Sequence, residues 1–260
     1  MDNPIERNFS LKGKTALVTG ASSGIGEAIA ECYAAAGSRL VICGRRLETV
    51  EEAAKRLRET GADVLALAAN IANDEDRKKL VAEAMAWSGR IDILVNNAGA
   101  NPAMGALENL EEKDLDVVLN VNFKGILFLS QEVFRAWMGK NGGNIINISS
   151  IGGSRCMHGI SGYCAVKAGL NHLGRCMAAE WGKYGIRVNT IAPGIIRTKF
   201  SKALWENQQR KENIKQNPIP RFGTIEDTIG TALLLASDAS AYITGQNFVV
   251  DGGYLISGTL

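Results

Sequence analysis

Short apolar runs rich in Val, Ile, Leu and Ala alternate along the chain with longer stretches in which apolar and charged residues recur three and four positions apart. The runs fall at 15–19 (TALVT), 39–43 (RLVIC), 63–69 (DVLALAA), 92–99 (DILVNNAG), 143–150 (GNIINISS), 186–194 (IRVNTIAPG) and 246–253 (QNFVVDGG). They lack the strict alternation of a sheet with one wet face, so each predicts a strand covered on both faces. The stretches between them, such as RRLETVEEAAKRLRET and NDEDRKKLVAEAMAWSG, predict helices. Repeated strand-then-helix order predicts an α/β fold: a doubly wound sheet of about seven parallel strands with helices on both faces and right-handed crossovers.

One segment breaks the rhythm. Residues 195–220 (IIRTKFSKALWENQQRKENIKQNPIP) are polar, carry one Trp and end in two closely spaced prolines. In an α/β sheet protein that reads as a lid of short helices over a site. Residues 1–10 read as an N-terminal extension. No repeat, low-complexity tract or Gly/Ser linker divides the rest, so 1–260 is expected to be a single domain.

Composition narrows the classes further. A net charge of +2 from 29 basic and 27 acidic residues, with no basic block, does not indicate nucleic acid as a partner. The five cysteines are odd in number and widely spaced, which suits a reducing compartment and implies neither a disulfide framework nor a metal site. No apolar segment resembling a signal peptide opens the chain, and no apolar run approaches the ~20 residues that span a bilayer. A cytoplasmic protein without a membrane partner is expected.

The candidate chemistry lies at the ends of the runs. After the first, Gly20, Gly24 and Gly26 give GxxxGxG, interleaved with Ser22, Ser23 and Ile25. Glycines between a strand and a helix let backbone approach a pyrophosphate, and the helix N-terminus favours the anion. After the second run stand Cys43-Gly44-Arg45-Arg46, with no acid to hydrogen-bond a ribose 2′-hydroxyl. A guanidinium pairs with a 2′-phosphate instead. NADP(H) is therefore favoured, through Arg45 and secondarily Arg46, with NAD(H) possible. Further on, YCAVK places Tyr163 and Lys167 four apart, on one face of a helix. A nearby ammonium favours the phenolate of a tyrosine that otherwise titrates near ~10.

TGASSGIG, NNAG (Asn96–Gly99), NVN (Asn120–Asn122), Ser150, YCAVK and PGIIRT (Pro193–Thr198), in this order, resemble the short-chain dehydrogenase/reductase family, from about Leu11 to the C-terminus. The resemblance implies a Rossmann-type fold and hydride transfer between a ketone and a secondary alcohol. Tyr163 would be the general acid/base. Lys167 would hold the nicotinamide ribose and lower the tyrosine pKa. Ser150, preferred over Ser149, would polarise the substrate oxygen, and Asn122 would anchor a relay water. Cofactor contacts carry over to Asn97, Gly99, Pro193, Gly194, Ile196 and Thr198. Asn70-Ile71 stands where many members carry Asp and an aliphatic residue; the amide can still address adenine. Homotetramers or dimers, packed through helices near 108–138 and 161–184, are implied as well.

The substrate is less legible. Between Ser150 and Tyr163 the basic residues are Arg155 and His158, each a candidate substrate contact, with Cys156 and Met157 as apolar wall. A small or medium ketone or a sugar acid comes first. A 3-oxoacyl-carrier-protein or thioester reductase is the alternative, as is an NAD-dependent alcohol dehydrogenase. A non-catalytic NADP-binding protein is the remote reading, disfavoured because both Tyr163 and Lys167 are present.

Overall fold

The computed structural model describes residues 3–102 and 104–257. The outermost positions of the expected domain, and Ala103, lie outside the described residues. Seven strands form one sheet: β1 (Thr15–Thr19), β2 (Arg39–Gly44), β3 (Val64–Ala68), β4 (Ile93–Asn96), β5 (Gly143–Ile148), β6 (Ile186–Pro193) and β7 (Asn247–Val250). All pairs are parallel, in the order β3-β2-β1-β4-β5-β6-β7. This is the Rossmann-type doubly wound sheet. The order reverses between β1 and β4, and open sheets of this kind bind ligands at such a switch point, beyond the C-terminal strand ends.

The period-two side-chain alternation of strands explains why the runs are apolar throughout. Ala16, Val18, Leu40 and Ile42 join one core; Leu17, Val41 and Leu94 join the other. The first core is closed by helices α1 (Gly24–Ala35), α2 (Leu47–Glu59) and α6 (Glu226–Ala236), whose Ile29, Val50 and Leu235 are fully buried. The second is closed by α3 (Asp74–Ser88), α4 (Glu112–Asn141) and α5 (Ser161–Trp181), through Leu80, Leu129 and Met177. At about 25 cal/mol per Å² of buried apolar surface, two such cores are the main favourable term in folding.

The strand ends differ from the apolar runs. β4 stops at Asn96 and β5 at Ile148, so Asn97–Gly99 and Ser149–Ser150 are exit loops that face the switch point. The expected helix near 108–138 starts at Glu112 and runs to Asn141, widening into π turns at Asn120–Gly125 and Phe134–Met138. By length and composition α4 meets the measure of a membrane span, although charges such as Lys124 and Arg135 interrupt every apolar run. Here it packs on the sheet as an outer-layer helix. Segment 195–220 forms two short helices, Lys202–Trp205 and Gln208–Asn213, and residues 4–9 of the extension form another.

Candidate active site

Tyr163 and Lys167 occupy the first two turns of α5, directly behind the exit of β5. The Ser149 hydroxyl donates to the Lys167 carbonyl at 3.3 Å and so turns into the helix. Ser150 points the other way, toward the Tyr163 hydroxyl whose phenolate it favours, while its Oγ accepts the Gly152 N–H at 3.0 Å. Lys167 Nζ lies 5.5 Å from the centre of the Tyr163 ring and donates to the Ile148 carbonyl at 2.8 Å.

Burial dominates the electrostatics of the pair. It raises the Tyr163 phenol well above its ordinary value, against a lowering by the Ser150 hydroxyl. It also brings the Lys167 ammonium down to about 7. The expectation was that Lys167 would lower Tyr163. In the chain alone the balance differs, because desolvation disfavours both charged forms and Lys167 spends a hydrogen bond on a backbone carbonyl. Tyr163 is only 9% exposed, and the Phe200 ring stands 6.4 Å from it, centre to centre.

Asn122 sits in the first π turn of α4 with 0% exposure. Its amide donates to the Ala100 carbonyl at 2.7 Å and accepts the Ala100 N–H at 3.0 Å. The side chain is thus committed to the β4 exit loop.

The glycine turn is braced from β4. Thr19 Oγ1 accepts the N–H groups of Asn97 and Ala98 at 3.0 Å each, and Asn97 Nδ2 donates to the carbonyls of Thr19 and Gly20 at 2.9 and 3.0 Å. Gly20 takes a left-handed φ of 64°, which a side chain would strain. A Cβ on Gly26 would lie 2.3 Å from Asn97 Nδ2, so only glycine lets α1 approach this closely. Ser23, the residue before α1, makes no side-chain cap, leaving the first-turn N–H groups beside Ser22 and Ile25 open to an anion. Arg45 and Arg46 are exposed beyond β2, and their side chains make no hydrogen bond or ion pair among the described residues. Asn70 accepts the Ala72 N–H through Oδ1 at 3.2 Å, and its own N–H goes to Asp76; Ile71 is buried beside it.

Across the cleft, Pro193 ends β6 and the Gly194 N–H donates to the Val250 carbonyl. Ile196 is buried, and the Thr198 methyl would touch a Cβ on Gly24 at 3.4 Å. Bare glycine backbone, an uncapped helix start and two unpaired guanidiniums fit a dinucleotide bearing a 2′-phosphate. Gly99 faces Asn122, whose Oδ1 a Cβ there would meet at 3.2 Å.

Two candidates stand apart. The Arg155 guanidinium lies over the Tyr254 ring at 5.6 Å, and His158 is exposed. Sequence reasoning missed Thr19 as the clasp of the glycine turn. It also placed Phe200 only within the 195–220 lid segment, without seeing that it meets Tyr163. Nothing local marks either residue, since both roles depend on contacts between distant segments.

Residues 20–255 match a family model described as enoyl-(acyl carrier protein) reductase. The dehydrogenase/reductase SDR family member 4 of Oryctolagus cuniculus is 37% identical over 96% of this chain and 96% of its own length. The 2-dehydro-3-deoxy-D-gluconate 5-dehydrogenase of Dickeya dadantii is 38% identical over 96% of this chain and 99% of its own. A crystal structure of gluconate 5-dehydrogenase from Burkholderia cenocepacia, in complex with NADP and tartrate, superposes with a TM-score of 0.93 at 34% identity, covering 97% of this chain and 99% of that one.

Proposed function

This chain belongs to the short-chain dehydrogenase/reductase family and is an NAD(P)-dependent oxidoreductase of CH–OH groups; from that premise we propose that it interconverts a ketone and a secondary alcohol, NADP(H) preferred, at Ser150, Tyr163 and Lys167. The observation that carries the reading is the convergence of Ser150, Tyr163 and Lys167, whose Nζ lies 5.5 Å from the Tyr163 ring, behind the exit of β5 beside the sheet's switch point.

The bound nicotinamide would supply or accept the hydride. Ser150 and Tyr163 would both donate to the substrate oxygen, polarising a carbonyl before it is reduced. Tyr163, kept protonated by burial, is ready to give its proton to the oxygen as negative charge develops there. Lys167, freed from the Ile148 carbonyl, would hold the ribose hydroxyls. Asn122 fixes the loop after Gly99 through Ala100, and its π turn would anchor the relay water toward Lys167. Gly20, Ser22, Ser23, Gly24, Ile25 and Gly26 would cradle the pyrophosphate. Arg45 and then Arg46 would pair with the 2′-phosphate. Asn70 and Ile71 would meet the adenine, Asn97 and Gly99 its ribose, and Pro193, Gly194, Ile196 and Thr198 the nicotinamide amide.

A thioester reductase is the second reading, supported by the description of the family model. An NAD-dependent glycerol dehydrogenase of Listeria innocua is 36% identical over 96% of this chain, so cofactor choice is the first test. Titrations with NADPH and NADH, followed by nicotinamide fluorescence, are expected to show at least ~10-fold tighter NADPH binding, about 1.4 kcal/mol. Arg45→Ala should remove that margin. Equal or tighter NADH binding would overturn the assignment of Arg45.

A further inference from the structure

A cleft of about 90 Å³, open on one side, lies against Tyr163, bounded by the start of α5, the loop after β4 and the first turns of α4. Leu110, Leu115, Val118 and Ile160 contribute apolar wall, beside the amides of Asn101 and Asn109. Val118, Ile160 and Tyr163 also share a small apolar cluster, with Leu115 packed against it, so the wall is backed by buried side chains. Asp114 is the one charged residue among those lining it; the other polar side chains there are uncharged. Neither Arg155 nor His158 reaches it.

These features constrain what can enter. No cation awaits a carboxylate or phosphate, and Asp114 repels one. An apolar cavity of about 150 Å³ admits benzene, so the space here scales to about three or four carbons. A substrate whose oxygen meets Ser150 and Tyr163 can place one substituent in this chamber and must direct any anionic group away from it. We propose that the chamber is a subsite for an uncharged alkyl arm of about three or four carbons attached to the reacting carbonyl or carbinol carbon, which makes the substrate a medium-sized ketone or its alcohol. The inference rests on the oxidoreductase reading and deepens it, separating alkyl ketones from the hydroxylated and anionic substrates that the reading leaves open.

The test uses methyl ketones with alkyl arms of one to eight carbons, and matching polyhydroxylated ketones, on protein loaded with NADP⁺, which cannot reduce them, for affinity, and with NADPH for turnover. Affinity is read by ligand-observed NMR, and turnover by NADPH consumption. Affinity should rise about three- to fourfold per carbon until the arm reaches about four carbons, then flatten. Leu115→Phe should move that break to shorter arms and Leu115→Ala to longer ones; opposite shifts cannot come from misfolding. An affinity independent of arm length, a break that neither variant moves, or tighter binding of the hydroxylated arms would each overturn the subsite. The two proposals fail separately. A break that shifts as expected without NADPH consumption supports the subsite and sinks the oxidoreductase reading, whereas turnover without any length dependence does the reverse.

Discussion

Lys167 is buried at 3% exposure, with the carbonyl of Ile148 as its hydrogen-bond partner, and burial sets its pKa at about 7 against 10.5 for the unhindered amine. The unfolded chain therefore holds more protons than the folded one between pH 7 and 10.5. Stability must rise with pH across that window, with a limiting slope of about 1.4 kcal/mol per unit. Below pH 7 the penalty of the buried ammonium is fully present, and above 10.5 it has vanished. Other groups also titrate there, so the measurement is a difference: urea midpoints of wild type and Lys167→Met, without cofactor, from pH 6 to 10. Wild type should gain on the variant as pH rises, and a constant difference would refute the burial argument. Tyr163 has the opposite charge sense. Its raised pKa keeps it a proton donor at neutral pH, so alcohol oxidation, which needs the phenolate, should speed up with pH more than ketone reduction does. Tyr163→Phe should lower kcat about 10²–10⁴-fold in steady-state assays, with cofactor titrations unchanged. The positions of Tyr163 and Lys167 were legible from i,i+4 spacing only together with the family motifs that surround them. Their titration was not, because it depends on what buries them.

Among the elements, strands were the most legible because a doubly covered sheet writes its burial directly into apolar runs. Helix boundaries and irregular turns were less so. Nothing in NVNFKG announces a π turn. It forms where α4 meets the loop after β3, so close that a Cβ on Gly125 would lie 2.8 Å from the Ile71 carbonyl. Segment 195–220 was legible as an excursion, but its aim was not: Phe200 is 60% exposed and still faces Tyr163. The segment is knotted from within, with Trp205 Nε1 donating to the Thr198 carbonyl at 3.0 Å and the Ser201 hydroxyl bonding the Ile196 carbonyl. Phe200 therefore projects from a braced base and can shield the reacting pair from water. Phe200→Ala should raise KM several-fold and lower kcat by less, since the groups in contact with the substrate oxygen stay in place. A variant with kcat alone reduced would show that Phe200 acts on the chemical step instead.

The scale of the whole molecule adds pairings that no local pattern encodes. Register aligns Asn96 with Asn147, Asn147 with Thr190, and Thr190 with Asn247, a polar row crossing four strands inside the layered fold. Asn96 Nδ2 donates to Asn147 Oδ1 at 2.9 Å and to Ser130 at 3.1 Å, tying α4 to the sheet under the active site. The outer side of the same helix is the reverse case. Val117 and Phe128 are 42% and 40% exposed, apolar area on a helix whose other side is already packed. The family resemblance implies assembly through α4 and α5, and we propose that these exposed positions lie in that contact. A carboxylate placed there would have to be desolvated, at a cost of several kcal/mol when it finds no partner, and in a symmetric assembly it would be paid at every copy of the contact. Phe128→Glu should accordingly lower the sedimentation-derived mass of the protein at micromolar concentration, while Ile5→Glu, on the exposed N-terminal helix, should leave it unchanged. Because Phe128 lies on the outer side of α4, the dissociated variant should keep its cofactor affinity. An unaltered mass for Phe128→Glu would place the contact between subunits on another face.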